Sequence, residues 1–162
     1  FPKFTVLENV RLAAQSRRQQ PWRIFSQAMK LQWSIDKAMA CIAEAGLAGN
    51  EGRLAGVMSH GAQRQLEIAM VLATDAQVLL LDEPLAGMGS EESAKMVEVL
   101  KRLRETRAIL LVEHDMDAVF AVADTITVMV NGQVLESGPP AQIKASVAVQ
   151  EAYLGQEDSF HV

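Results

Sequence analysis

Val78-Leu79-Leu80-Leu81-Asp82-Glu83-Pro84 decides how this chain is read. Four consecutive apolar residues are too few for a helix. They suit a strand buried on both faces, as in a parallel sheet. Asp82 and Glu83 follow where the strand runs out, and Pro84, with no N–H to continue a ladder, marks the exit. In α/β proteins the carboxyl end of a buried parallel strand is where ligands lie. One chemical reading places Mg²⁺ at Asp82, directly or through water, and a water-polarising base at Glu83. The other is a strand followed by a solvated acidic turn. The motif alone leaves both open.

The 162 residues suffice for one domain with its own core. A composition of 49% hydrophobic and 22% charged residues is that of an ordinary globular protein. The net charge of −5 argues against a nucleic-acid footprint. Cys41 is the single cysteine, so no internal disulfide can form. It falls in a helical pattern and reads as a small buried apolar residue. No apolar run approaches the ~18 residues that span a bilayer, and no signal peptide is visible. The expected compartment is therefore the cytosol. A chain that begins at Phe1 also suggests a fragment, a processed chain or residues upstream.

Outward from the central stretch, the first 75 residues read as mostly helical. Thr5 and Glu8 have the spacing of a capping box and predict a short helix to about Ala14. Residues 16–20 are polar and end at Pro21, a loop. Ile24, Ala28, Leu31, Ile35, Met39, Ile42 and Ala45 then recur at helical spacing until Gly46 and Gly49 stop them. Residues 50–58 read as a loop. Ser59 is a good N-cap for a helix from His60 to about Thr74. A helix start with a small residue and Gly61 exposes N–H groups and the positive dipole end, which attract anions. A plain capped helix fits the same residues.

The second half changes character. A helix over 91–104, with Ala94, Val97, Leu100 and Leu103 inward, leads to a second apolar strand at 108–112. Glu113-His114-Asp115 follows, then a helix from Met116 to about Ala123. Asn131-Gly132 between 126–130 and 133–136 is a strong hairpin signal. Pro139-Pro140 breaks the chain, and short helices through Tyr153-Leu154 precede a frayed tail. Strand, helix and strand make a right-handed crossover with parallel strands. Their carboxyl ends then share one edge, where Glu83 and His114 emerge together. A His beside a carboxylate base and a metal-binding Asp can contact a phosphate oxygen and position an attacking water.

At this point the chain resembles the ATP-binding cassette (ABC) ATPases along nearly its whole length. Met58-Ser59-His60-Gly61-Ala62-Gln63 is similar to the signature motif. Residues 78–83 resemble Walker B with the adjacent catalytic glutamate, 85–89 the D-loop, and His114 the switch histidine. Leu66-Glu67-Ile68-Ala69, Val112-Glu113-His114-Asp115-Met116 and Ala152-Tyr153-Leu154-Gly155 resemble the ATP-binding subunits of branched-chain amino-acid and amide importers. The resemblance implies an α/β fold: the carboxyl part of a P-loop NTPase (RecA-like) core at 76–155, a helical subdomain at 1–75 and a tail at 156–162. It implies ATP and Mg²⁺ as ligands and a head-to-tail dimer with a second ATPase subunit. Ser59, His60, Gly61, Ala62 and Gln63 would meet the ATP of the partner subunit. Asp82 would hold Mg²⁺, Glu83 would polarise water, and His114 would contact the γ-phosphate. Transmembrane permease subunits, and through them a periplasmic binding protein, are the implied partners. The implied location is peripheral, at the cytoplasmic face of the inner membrane.

Three departures from the family pattern matter. No G-x-x-x-x-G-K-[ST] phosphate loop, adenine-stacking aromatic or Q-loop glutamine is found. That absence implies a truncated chain, inactive alone, rather than a degenerate enzyme. Gly89 stands where the D-loop has aspartate. His60 and Ala62 stand where many signatures have Gly and Gln; the His60 change is mild, because the backbone donates the key contacts. Two rival readings remain: an inactive interaction or regulatory module, and an ABC ATPase with another cargo, such as urea or an exported lipid. Cargo is chosen by the membrane and binding-protein partners.

Overall fold

The computed structural model describes residues 1–16 and 32–157. The chain divides into two compact units, Phe1–His114 and Asp115–Val162.

In the first unit, α1 (Val6–Ser16) begins at a reciprocal capping box. The Thr5 N–H donates to Glu8 Oε2 at 2.8 Å, and the Glu8 N–H donates to Thr5 Oγ1 at 3.2 Å. That backbone donation from Thr5, more than any other contact, holds the Glu8 carboxyl below its usual range. Val6, Val10 and Ala14 form a buried stripe on α1. It faces α2 (Gln32–Glu44) and α3 (His60–Ala73). The expected inward face of α2 needs correction. Met39 is exposed and Ile35 half-buried, while Ser34, Ala38, Cys41 and Ile42 are buried. Ser34, on the buried face, accepts a hydrogen bond from Arg11 Nε at 3.2 Å. Ile24, Ala28, Leu31 and the loop at Pro21 lie outside the described residues. Cys41 is buried as expected, and burial pushes its thiol up. Between α2 and α3 the loop contains a short 3₁₀ turn, Ala55–Val57.

β1 (Val78–Asp82) and β2 (Ala108–Val112) pair in parallel, Val78 opposite Ala108 through Asp82 opposite Val112. They are joined through α4 (Ser90–Leu103). The buried face of α4 is Met96, Val99, Leu100 and Leu103. Ala94 is exposed and Val97 half-buried, so two of the four expected inward residues are replaced by the longer Met96 and by Val99. The strands also depart from expectation. Leu79 is fully covered and Leu81, Ile109 and Leu111 half-covered, but Val78, Leu80, Leu110 and Val112 lie exposed on the other face. Apolar side chains on both faces of a strand are thus covered on one face only.

In the second unit, α5 (Met116–Val122) is capped by Asp115, whose carboxylate accepts the Ala118 N–H at 3.1 Å. β3 (Ile126–Val130) and β4 (Gln133–Gly138) form the expected antiparallel hairpin, with a register shift at Val128/Met129. Asn131 and Gly132 both have positive φ, 50° and 76°, as a two-residue type I′ turn demands. The hairpin runs two residues further than the sequence suggests. Pro140 then opens α6 (Pro140–Ala145), since a helix's first residue needs no N–H, and α7 (Val147–Glu157) follows. Ile126, Ile143 and Val149 are the core of this unit.

The bare sheet face generates a prediction. Leu80 and Leu110 are 73% and 62% exposed on one surface, and contiguous exposed apolar area favours association. Residues 1–162 alone should sediment as dimers or larger species at micromolar concentration. Leu80→Lys with Leu110→Lys should shift them toward monomer. A monomeric wild-type chain with a cooperative melt would refute this.

Candidate active site

The parallel register fixes what emerges at the carboxyl edge of the two strands. The Glu83 N–H donates to the Val112 carbonyl at 2.9 Å and so extends the ladder by one bond. The backbone then turns sharply: Glu83 has φ +44°, in the left-handed region that non-glycine residues seldom occupy. Such strained positions cluster where structure serves function. His114 leaves β2 two residues after Val112. Its Nδ1 lies 3.5 Å from Glu83 Oε1, and the two side chains are 75% and 53% exposed. Residues 31 positions apart in sequence thus meet, as the crossover predicts. Asp82 is exposed at the last paired position of β1.

Among the described residues no group of three His, Cys, Asp or Glu side chains is placed to hold a metal. A single exposed carboxylate still fits Mg²⁺, which commonly takes one or two carboxylates and completes its shell with waters and phosphate oxygens.

The second candidate region is the start of α3. Ser59 caps the helix, its Oγ accepting the Ala62 N–H at 3.3 Å. Ser59 and His60 are exposed, whereas Gly61 is buried. A Cβ at Gly61 would lie 2.8 Å from the Glu92 carboxyl carbon, so only glycine admits Glu92 at this distance. The imidazole of His60 packs near Gly87, in the loop that follows Glu83. The Gln63 amide donates inward, to the carbonyls of Ala55 and Met58 at 3.3 Å each. It fastens the helix to the 3₁₀ turn before it. A cleft of about 660 Å³ beside this helix start is lined by Ser59, Gly61, Ala62, Glu91, Glu92 and Lys95, among others. Asp82, Glu83 and His114 are not part of its wall.

The motif resemblances assign no role to two residues of these regions. Glu92 covers Gly61, and nothing in its helical setting distinguishes it from Glu91 or Glu98. Glu113 carries a fainter signal. Strand alternation puts it on the covered face with Ile109 and Leu111, and a carboxylate there must find donors.

The chain is similar to known proteins in sequence and in fold. Residues 1–86 match the family model for the ABC transporter, and residues 133–159 that for the branched-chain amino acid ATP-binding cassette transporter. The high-affinity branched-chain amino acid transport ATP-binding protein LivG of Escherichia coli is 34% identical over 96% of this chain and 64% of its own length. BraF of Pseudomonas aeruginosa, which carries the same description, is 36% identical over 76% of this chain and 49% of its own. The ADP conformation of MJ1267, an ATP-binding cassette of an ABC transporter, superposes with a TM-score of 0.76 at 26% identity. It is covered over 64% of its length by 95% of this chain. The chain belongs to the ABC transporter ATP-binding cassette family, and its α/β fold is that of a P-loop NTPase cassette. It spans just under two thirds of LivG and of MJ1267.

The cap at Ser59 gives a separable test. Loss of an N-cap oxygen costs ~1 kcal/mol when alanine replaces it and only a few tenths when glycine does. Ser59→Ala should therefore lower the urea-unfolding free energy by about that amount, and Ser59→Gly far less. An unchanged unfolding free energy in Ser59→Ala would mean that the Ala62 hydrogen bond does not stabilise α3.

Proposed function

We propose that this chain is part of the ATP-hydrolysing subunit of an importer for branched-chain amino acids or related amides. The observation that carries the proposal is the 3.5 Å approach of His114 to Glu83 at the carboxyl edge, with Asp82 exposed beside them. The names of LivG and BraF and the match of residues 133–159 support the cargo class.

The proposed roles follow the family resemblance and suit the positions of the residues. Asp82 would hold Mg²⁺, which neutralises phosphate charge when it is bound with ATP. Glu83, half-exposed, accepts a hydrogen bond from the attacking water and polarises it. His114 faces Glu83 through Nδ1, and its Nε2, where it carries the proton, would donate to a γ-phosphate oxygen. Ser59 and the amides at the start of α3 would face the nucleotide of a second ATPase subunit, where the helix dipole favours anions. The Glu92 carboxylate now covers Gly61, and two anions at one helix start repel each other. Contact of Gly61 with phosphate therefore requires Glu92 to move aside. His60 and Ala62 would flank that contact, while Gln63 supports the loop behind it. Residues 1–162 hold no G-x-x-x-x-G-K-[ST] loop, so hydrolysis is assigned to the intact ATPase. No helix among the described residues is long and apolar enough to cross a membrane. Attachment would be peripheral, at the cytoplasmic face, through permease subunits that receive cargo from a periplasmic binding protein.

In the intact ATPase, Glu83→Gln should lower steady-state hydrolysis by at least the ~10²-fold typical of general-base loss, with ATP binding retained. Hydrolysis near wild type would remove Glu83 as the base. Residues 1–162 alone should bind MgATP no more tightly than about millimolar, a free energy of ~4 kcal/mol. Calorimetry giving a micromolar dissociation constant would show that these residues carry a complete site, contrary to the proposal.

A further inference from the structure

Glu113 stands between two exposed residues, Val112 and His114, yet its side chain is 1% exposed. A carboxylate so placed is costly unless donors satisfy it. Two donors do, and they come from different loops. Oε1 accepts the Leu85 N–H at 2.9 Å, and Oε2 accepts the His114 N–H at 3.2 Å. Leu85 lies two residues after Glu83, and His114 is the imidazole facing it. Pro84 has no N–H, so Leu85 offers the first backbone donor after Glu83.

The strained turn at Glu83 is therefore held from both sides by the end of β2. Val112 accepts the N–H of Glu83 itself, and Glu113 accepts that of Leu85. The same carboxylate fixes the backbone that carries His114. We infer that Glu113 is a positioning residue for the hydrolysis proposed above: its buried carboxylate ties the loop carrying Glu83 to the loop carrying His114 and sets their 3.5 Å approach. It rests on that reading of the site. With its side chain 1% exposed, Glu113 acts through the pair it holds. Its second oxygen also lies 3.9 Å from His114 Nδ1, so the imidazole is flanked by two carboxylates.

The test is a double-substitution cycle in the intact ATPase, following kcat and KM for ATP. Glu113→Gln preserves shape but replaces one acceptor oxygen by an NH₂ that opposes a backbone N–H. It should lower kcat about tenfold while KM for ATP changes less than about threefold, the signature of a lost transition-state interaction. In a His114→Ala background, where the pair no longer exists, Glu113→Gln should lower kcat by less than about threefold, because coupled residues are not additive. An unchanged kcat, or the same tenfold loss in both backgrounds, would overturn the inference; the latter is what a purely structural role would give. Glu83→Gln measured in parallel separates the two failures. If it leaves hydrolysis intact, the reading of the site fails. If it abolishes hydrolysis while Glu113→Gln is silent, only the positioning role fails.

Discussion

The parallel pairing of β1 with β2 is the constraint on which the rest of the first unit depends. Five residue pairs in one register, ending at Asp82 opposite Val112, leave the next residues of both strands no choice of neighbour. Because side chains alternate along a strand, a slip by one residue would turn Leu79 and Leu111 off the covered face. It would also separate Glu83 from the carbonyl that accepts its N–H. Met96, Val99, Leu100 and Leu103 of the connecting α4 are buried in this unit. Their burial opposes such a slip. The meeting of Glu83 and His114 is thus a consequence of core packing.

A second linkage runs through the helices. α4 begins beside the start of α3, where the Glu92 carboxylate closes over Gly61. His60, the first residue of α3, packs near Gly87 in the loop that leaves Glu83. The region proposed to face a second subunit's nucleotide and the region proposed to act on the chain's own are therefore in physical contact within one unit. A shift of the α3 start would press on the loop that Glu113 holds at Leu85.

Much of this was legible in the sequence. The capping box at Thr5 and Glu8, the cap at Ser59, the Asn131-Gly132 hairpin and both apolar strands rest on local chemistry. Each involves residues within a few positions of one another, and the structure has all of them. The convergence of Glu83 and His114 was legible for a different reason: a strand–helix–strand unit has few ways to fold. Helix faces were less so. Met39 for Ala38 is an error of one position, and Ala94 and Val97 for Met96 and Val99 are errors of two. Hydrophobicity ranks those residues closely, and only the partner surface chooses between them.

The sequence by itself determined the elements, the parallel pair and the candidate residues at its edge, because short-range hydrogen bonding, periodicity and crossover geometry act without knowledge of distant neighbours. It also carried the family resemblance that comparison with LivG and BraF bears out. Only the tertiary structure decided that one face of the sheet is bare, that Gly61 lies beneath Glu92, and that Glu113 binds Leu85 from 28 residues away. Each of these depends on which groups distant segments bring together in space. Buried carboxylates and close glycine contacts are answers to that packing, and no local pattern encodes them.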